Sequence, residues 1–166
     1  MESRLNYSKL VPSVLKAMFG LEAVIRASGL EESLVDLMKL RASQINGCAA
    51  CIDMHAKDLR VHGETEQRIY MLEAWREAPF YSARERAAFE WTEAVTLIEG
   101  NVSSEVFRRA RAQFSEEEIV HLTLVVVAIN GWNRFNIAFR TAPGFYEPTR
   151  TEKAKAVSPE KVLITR

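Results

Sequence analysis

The helical spacing of apolar residues is the feature that most constrains the fold of this 166-residue chain. Apolar side chains recur three and four positions apart along nearly all of it, and alternation of β-branched with polar residues is nearly absent. This pattern predicts an all-α protein. Hydrophobic residues make up 48% of the chain, with only seven glycines and five prolines, so one domain can bury a sizeable core. We expect a single compact helical domain over residues 1–147.

Capping and turn residues divide the chain into predicted helices. Asn46-Gly47 and His62-Gly63 end two of them, because such residues tolerate the left-handed conformation that closes a helix. Ser82 with Glu85 and Ser115 with Glu118 have the spacing of capping boxes, which open helices. The predicted helices span about 8–27, 31–45, 48–61, 65–75, 82–98, 103 onward, and 115–139. The last is the most apolar, so we expect it to be central or at a subunit interface.

The charge balance indicates which partners to expect, and the N-terminal residues and apolar runs indicate the location. Lys and Arg (22) balance Asp and Glu (22), so no net field draws the chain to nucleic acid or to an anionic membrane, and a small or neutral partner fits better. The N-terminus lacks the pattern of a signal peptide, and the longest apolar run, 122–129, is too short for a span of about 20 residues. We therefore expect a cytoplasmic protein. Residues 148–166 are polar and charged, which predicts a loose tail or an arm on a neighbouring subunit.

Both cysteines of the chain, Cys48 and Cys51, lie at the predicted start of a central helix. In a reducing compartment so short a pair is seldom structural, because closing the loop constrains the unfolded chain little. The positive end of a helix favours a thiolate and lowers a cysteine pKa from about 8.5. A second cysteine can then close on the oxidised first one as a disulfide. The spacing predicts a reversible thiol–disulfide centre.

His55 shares a helix face with the cysteines, four residues after Cys51. An ordinary histidine pKa of about 6.5 would let it take or return a proton, although it could also be a plain helix-face residue. Zinc is the alternative for a Cys-x-x-Cys followed by histidines. Cys48 and His55 are about 10 Å apart along a continuous helix, and His62 is about 10 Å further, whereas one ion holds its ligands within about 4 Å of each other. We therefore expect neither a metal nor a cofactor.

Two segments resemble a known family. Residues 37–55, LMKLRASQINGCAACIDMH, are similar to the signature of the alkylhydroperoxidase (AhpD-like) branch of the carboxymuconolactone decarboxylase family. Residues 128–140, AINGWNRFNIAFR, resemble a C-terminal helix of the same family, so the likeness covers about residues 15–145. The resemblance implies a helical subunit that forms trimers or hexamers. It also implies an enzyme that reduces organic peroxides through its cysteine pair, with a thiol or dithiol as electron donor.

The resemblance also implies roles for single residues. Cys51 would attack the peroxide, Cys48 would resolve the product as a disulfide, and His55 would belong to a proton relay. Asp36 stands where the relay usually has a glutamate, twelve residues before the first cysteine. Its other interpretation is a solvated residue paired with Lys39.

Three functions remain open from the sequence. The first is a cysteine-based peroxidase or disulfide reductase in antioxidant defence. The second is a decarboxylase or lactone-handling enzyme of the same family, which would not need the cysteine pair. The third is a thiol redox sensor. Five further polar or aromatic residues are candidates for a substrate pocket, although aromatic residues on helices more often belong to the core: Tyr81, Trp91, Trp132, Asn133 and Arg134.

Overall fold

The computed structural model describes residues 2–148, and the secondary structure within them is entirely helical. The α-helices are α1 (Tyr7–Leu10), α2 (Pro12–Arg26), α3 (Glu32–Asn46), α4 (Ala49–Val61), α5 (Glu66–Tyr70), α6 (Ala83–Leu97), α7 (Ser104–Arg111) and α8 (Glu116–Phe139). The predicted all-α fold is confirmed. The predicted polar tail lies outside the described residues, apart from its first residue, Pro148.

The first predicted helix, residues 8–27, is divided into α1 and α2. Pro12 disfavours helical backbone in the residue before it, and Val11 has φ −135° and ψ 76°. Pro12 therefore begins a new helix instead of lying in the first turn of a longer one. The predicted helix over 65–75 is also shorter, because α5 ends at Tyr70 and a 3-10 helix, Met71–Ala74, follows it.

The central elements are α3 and α8. Helix α3 packs against α4, α6 and α8, and α8 also packs against α2, α4 and α7. Leu37 and Met38 of α3 are fully buried, as are Phe89 and Thr92 on the inward face of α6. Both predicted capping boxes form, at the starts of α6 and α8. Within residues 2–148, no helix has the length and hydropathy needed to cross a membrane.

A tight turn places the start of α4 beside α8. Gly47 has a left-handed backbone with φ 68°, and the Cys48 backbone N–H donates to the Ser43 carbonyl at 3.0 Å. The Asn46 side chain donates to Asn133 of α8 at 2.8 Å, and Asn133 donates to the Ser43 hydroxyl at 3.0 Å. Helices α3 and α4 thus form a hairpin whose turn is held against α8 by side-chain hydrogen bonds.

Candidate active site

Cys48 and Cys51 are joined by a disulfide at the N-terminus of α4, with their Cα atoms 5.4 Å apart. Cys48 is the N-cap residue and Cys51 lies in the first turn, where free backbone N–H groups favour negative charge on sulfur. Both side chains are buried. Among residues 2–148, no group of three or more His, Cys, Asp or Glu side chains is placed to hold a metal ion.

Asn136 of α8 contacts the cysteine pair directly. Its Nδ2 donates to the sulfur of Cys51 at 3.3 Å, and its Oδ1 accepts a hydrogen bond from the Tyr7 hydroxyl at 3.2 Å. The Tyr7 ring stacks on Phe135 with the ring centroids 5.1 Å apart, which fixes the orientation of the hydroxyl. An amide that donates to sulfur stabilises a thiolate more than a thiol.

Sequence analysis missed Asn136, although a signal for it was present. Asparagines occur at positions 130, 133 and 136 of a mainly apolar helix, and this spacing of three places them along one side of α8. Asn133 is fully buried, and all three side chains make hydrogen bonds to other helices. A row of amides along one side of α8 is the feature that could have indicated the contact.

A cavity of about 490 Å³ lies between α2, α3, α4 and α8. Neither cysteine lines it, but Ala50 between them does, as does Asn136, which contacts Cys51. Aromatic side chains form part of its wall, and polar side chains reach it from four helices, α2, α3, α4 and α8. The aromatic side chains are Tyr7, Phe19, Trp132, Phe145 and Tyr146. The polar side chains include Glu22, Lys39, His55 and Asn136. Such an enclosure suits an apolar molecule with one polar group.

Of the five candidate pocket residues, the structure places Trp132 alone at this cavity. Tyr81 and Trp91 belong to the hydrophobic core, and Asn133 is buried in the hydrogen bonds that join α3 to α8. Arg134 bonds back to Asn130 on the helix surface. Four of the five therefore serve packing or helix contacts.

His55 lines the cavity but differs electrostatically from the sequence-based expectation. Its side chain is 6% exposed, and neither ring nitrogen has a hydrogen-bond partner among the described residues. Burial lowers the His55 pKa to about 3, and the positive charge of Lys39 acts in the same direction. The imidazole is therefore neutral at pH 7. This pKa lies below the expected value near 6.5, because the sequence does not show how completely the ring is buried.

Asp36 lies away from His55. Its Oδ2 is 3.2 Å from Nδ1 of His62, and burial raises its pKa to about 6 against the attraction of Lys39 and His62. The register of the hairpin explains this, since Asp36 is eleven positions before Gly47 and His55 only eight after it. The expected contact with His55 is therefore not made, and a catalytic role for Asp36 stays a prediction.

Glu22 and Lys39 form a buried ion pair at the cavity. Lys39 Nζ donates to Glu22 Oε2 at 2.6 Å, and the two side chains are 10% and 12% exposed. The Trp132 indole N–H donates to the other carboxylate oxygen of Glu22 at 3.0 Å. Lys39 is eight positions before the turn at Gly47, level with His55. Sequence analysis considered Lys39 only as a partner of Asp36.

The segment after α8 closes one side of the cavity. The Gly144 backbone N–H donates to Asp53 at 2.9 Å, and the Tyr146 hydroxyl donates to Asp58 at 2.7 Å. Lys57 donates to the Tyr146 carbonyl at 2.9 Å. Residues 143–146 thus lie along α4, and their aromatic side chains form part of the cavity wall.

Comparisons with known proteins identify the family of this chain and several of its relatives. The model of the carboxymuconolactone decarboxylase family matches residues 12–94. The uncharacterized protein YdfG of Bacillus subtilis is 45% identical over 139 residues, which cover 83% of this chain and 95% of that protein. An alkyl hydroperoxide reductase AhpD of Hyphomonas neptunium is 44% identical over 46 residues, covering 28% of this chain and 26% of that protein.

A solved structure shares the fold closely. Protein ATU0492 of Agrobacterium tumefaciens, of unknown function and described as a candidate antioxidant defence protein AhpD, superposes with a TM-score of 0.84. It is 44% identical, and the match covers 87% of this chain and all of that one. The family model matches half of this chain. The matches to YdfG and to ATU0492 cover 83% and 87% of it. The chain therefore belongs to the carboxymuconolactone decarboxylase family, in its AhpD-like branch.

Proposed function

We propose that this protein is a thiol-dependent peroxidase that reduces organic hydroperoxides through Cys48 and Cys51. One observation carries the proposal: Asn136, which lines an aromatic cavity, also donates a hydrogen bond to the sulfur of Cys51. Its donor therefore stabilises a Cys51 thiolate next to a space that fits an apolar molecule. The names of the AhpD relatives support the same activity.

The reaction balances with the residues present. The Cys51 thiolate attacks the terminal oxygen of R–O–O–H, the S–O bond forms as the O–O bond breaks, and sulfur is oxidised to sulfenic acid. The alkoxide RO⁻ leaves and takes one proton to become an alcohol. Cys48 then attacks the sulfenic sulfur, forming the disulfide and releasing hydroxide, which takes a second proton. The two protons equal those that the two thiols lose.

The disulfide must be reduced for another turnover. An external dithiol can do this by thiol–disulfide exchange, which requires a compartment where dithiols are kept reduced. We therefore propose that the protein works in the cytoplasm with a dithiol protein as electron donor.

Thiol titration tests the proposal against its alternatives. After reduction, one equivalent of cumene hydroperoxide should remove both free thiols within the mixing time of a rapid assay, and a dithiol should restore them. Thiols that stay unreactive would contradict a peroxidase and favour a decarboxylase or lactone-handling enzyme. Oxidation that changes the oligomer size without repeated turnover would instead indicate a redox sensor.

Replacement of Asn136 by leucine should weaken the reactivity of Cys51. Leucine keeps the approximate shape but removes the donor, and a hydrogen bond to a charged group contributes about 1.5–3 kcal/mol. The midpoint of Cys51 alkylation by iodoacetamide should therefore move up by about one to two pH units, and peroxide reduction at pH 7 should slow by about 10- to 100-fold where the thiol form dominates. Tyr7→Phe removes only the bond that orients Asn136, so its midpoint should move less. A midpoint unchanged in Asn136→Leu would exclude the proposed thiolate contact.

We also propose that the protein assembles into a trimer or hexamer. The most apolar helix, α8, leaves Val120 67% and Val127 53% exposed, and Phe19 and Val24 of α2 are about half exposed. Apolar side chains exposed in this number are typical of interfaces. Light scattering at micromolar concentration should give three or six times the subunit mass of 18.9 kDa. A monomeric mass would contradict this prediction.

A further inference from the structure

We propose that Lys39, held in place by Glu22, is the general acid that protonates the alkoxide leaving group during peroxide reduction. This inference rests on the proposed peroxidase function. It assigns a role to a buried ion pair that lies at the cavity and that the cysteine chemistry does not otherwise use. Glu22 and Trp132 then act as positioning residues for the Lys39 ammonium.

The ion pair has the geometry of a group that faces a ligand. An ammonium has three N–H donors, and among the described residues Lys39 gives one hydrogen bond, to Glu22. Within residues 2–148 its other two donors have no protein partner, and the side chain is 10% exposed and lines the cavity. Buried donors are normally satisfied, so these two N–H groups are available to a molecule in the cavity.

Glu22 is arranged to hold Lys39 and not to compete for the substrate. One carboxylate oxygen accepts from Lys39 at 2.6 Å and the other accepts from the Trp132 indole at 3.0 Å. The two bonds fix the carboxylate from two helices, α3 and α8. The ammonium is therefore fixed at the cavity as a charged group, where it also stabilises negative charge that develops on the leaving oxygen.

The other titratable groups at the cavity are less suited to give up this proton. Burial keeps His55 neutral, with a pKa of about 3, so it carries no extra proton at pH 7. Burial raises the pKa of Tyr7 and of Tyr146, and their hydroxyls already donate to Asn136 and Asp58. Backbone and lysine N–H groups lower the pKa of Asp53, which is ionised.

Arg26 is the second cation among the described residues that line the cavity, and it is exposed. A guanidinium does not release a proton at physiological pH. Lys39 is thus the buried acid available for the alkoxide. The proton that Cys51 loses when it ionises replaces the one that Lys39 gives to the alcohol, so the overall reaction stays balanced.

The leaving group of the peroxide provides the test. Cumene hydroperoxide releases an alkoxide, a strong base that needs a proton, whereas peracetic acid releases acetate, which does not. General acids contribute about 10²–10⁴-fold to rate. The test measures single-turnover oxidation of the reduced full-length protein at pH 7. Lys39→Met should lower the rate of oxidation by cumene hydroperoxide by about 100-fold or more. The same variant should slow the reaction with peracetic acid far less, because acetate needs no proton to leave.

The chain offers a closely matched control. Arg41 of α3 and Glu93 of α6 form another ion pair, with side chains 13% and 12% exposed. Glu93 also accepts a hydrogen bond from the indole N–H of Trp75 at 2.8 Å. The double variant Arg41→Met/Glu93→Gln removes this pair away from the cavity and should affect the two peroxides equally. Lys39→Met leaves a buried carboxylate unpaired, so Glu22→Gln/Lys39→Met gives a second measurement without a lone buried charge.

The outcomes separate this inference from the proposed function. A wild-type protein that consumes neither peroxide overturns the peroxidase proposal and the role of Lys39 with it. If the wild type consumes both peroxides, and both Lys39 variants slow them equally or not at all, the role of Lys39 alone is overturned. Selective loss with cumene hydroperoxide in either Lys39 variant, absent from the control pair, supports it.

Discussion

Cys51→Ser should abolish peroxide consumption, whereas Cys48→Ser should permit one oxidation and then stop. Serine keeps the size of the side chain but is not ionised at neutral pH, so the first variant lacks the attacking sulfur. In the second, Cys51 keeps its hydrogen bond from Asn136 and its place in the first turn of α4, but the sulfenic acid has no partner to resolve it. Mass spectrometry of Cys48→Ser after peroxide should show Cys51 with one to three added oxygens.

The two variants control for each other, because each removes the disulfide and leaves one buried thiol. A difference between them therefore reports which sulfur reacts and not the loss of the cross-link. Equal single-turnover rates for the wild type and Cys51→Ser would contradict the assignment. If Cys51→Ser instead accumulated an oxidised Cys48, the two roles would be exchanged.

The sequence was sufficient for features that depend on local chemistry. Capping boxes at Ser82 and Ser115 and the left-handed residue Gly47 fix helix ends through bonds within a few residues, and the structure has them where they were predicted. The position of the cysteine pair at the start of α4 follows from the same turn. Val11 shows the limit, since one proline was enough to divide a helix whose apolar pattern continues across it.

Contacts between helices were less predictable. Asn136 lies 85 positions from Cys51, and Glu22 lies 17 positions before Lys39, so periodicity within one helix shows neither contact. The pKa of His55 depends on burial by several elements at once. These contacts and this burial surround the cysteine pair with the other groups of the candidate site, and they depend on how the helices pack.

Asp36→Asn should make the protein more stable at neutral pH. Burial raises the Asp36 pKa from 3.8 to about 6, so ionisation of this carboxylate is less favourable in the folded chain than in the unfolded one. As the pH rises from about 4 to about 6, the unfolded chain loses this proton first and stability falls. Each pKa unit corresponds to about 1.4 kcal/mol, so above pH 6 the lost stability reaches about 3 kcal/mol at most.

Asparagine removes the charge and keeps an acceptor for His62, which lies 3.2 Å from Asp36 Oδ2. Urea denaturation at pH 7.5 should therefore show a higher free energy of unfolding for the variant, and the difference should vanish near pH 4. Asp53→Asn is the control of opposite sign. The Gly144 N–H lowers the pKa of Asp53, so its replacement should destabilise the protein at pH 7.5. A variant at Asp36 that is no more stable than the wild type at pH 7.5 would contradict the burial argument.

The same Asp36 variant also tests the proton relay that the family resemblance implies. In the structure this carboxylate faces His62, and His55 is neutral beside Lys39. If Asp36 nevertheless acts on Cys51, through a water or after the disulfide opens, the alkylation midpoint of Cys51 should move to higher pH in Asp36→Asn and recover in Asp36→Glu. Superimposable curves, together with the gain in stability, would leave Asp36 as a partner of His62 with no part in the cysteine chemistry.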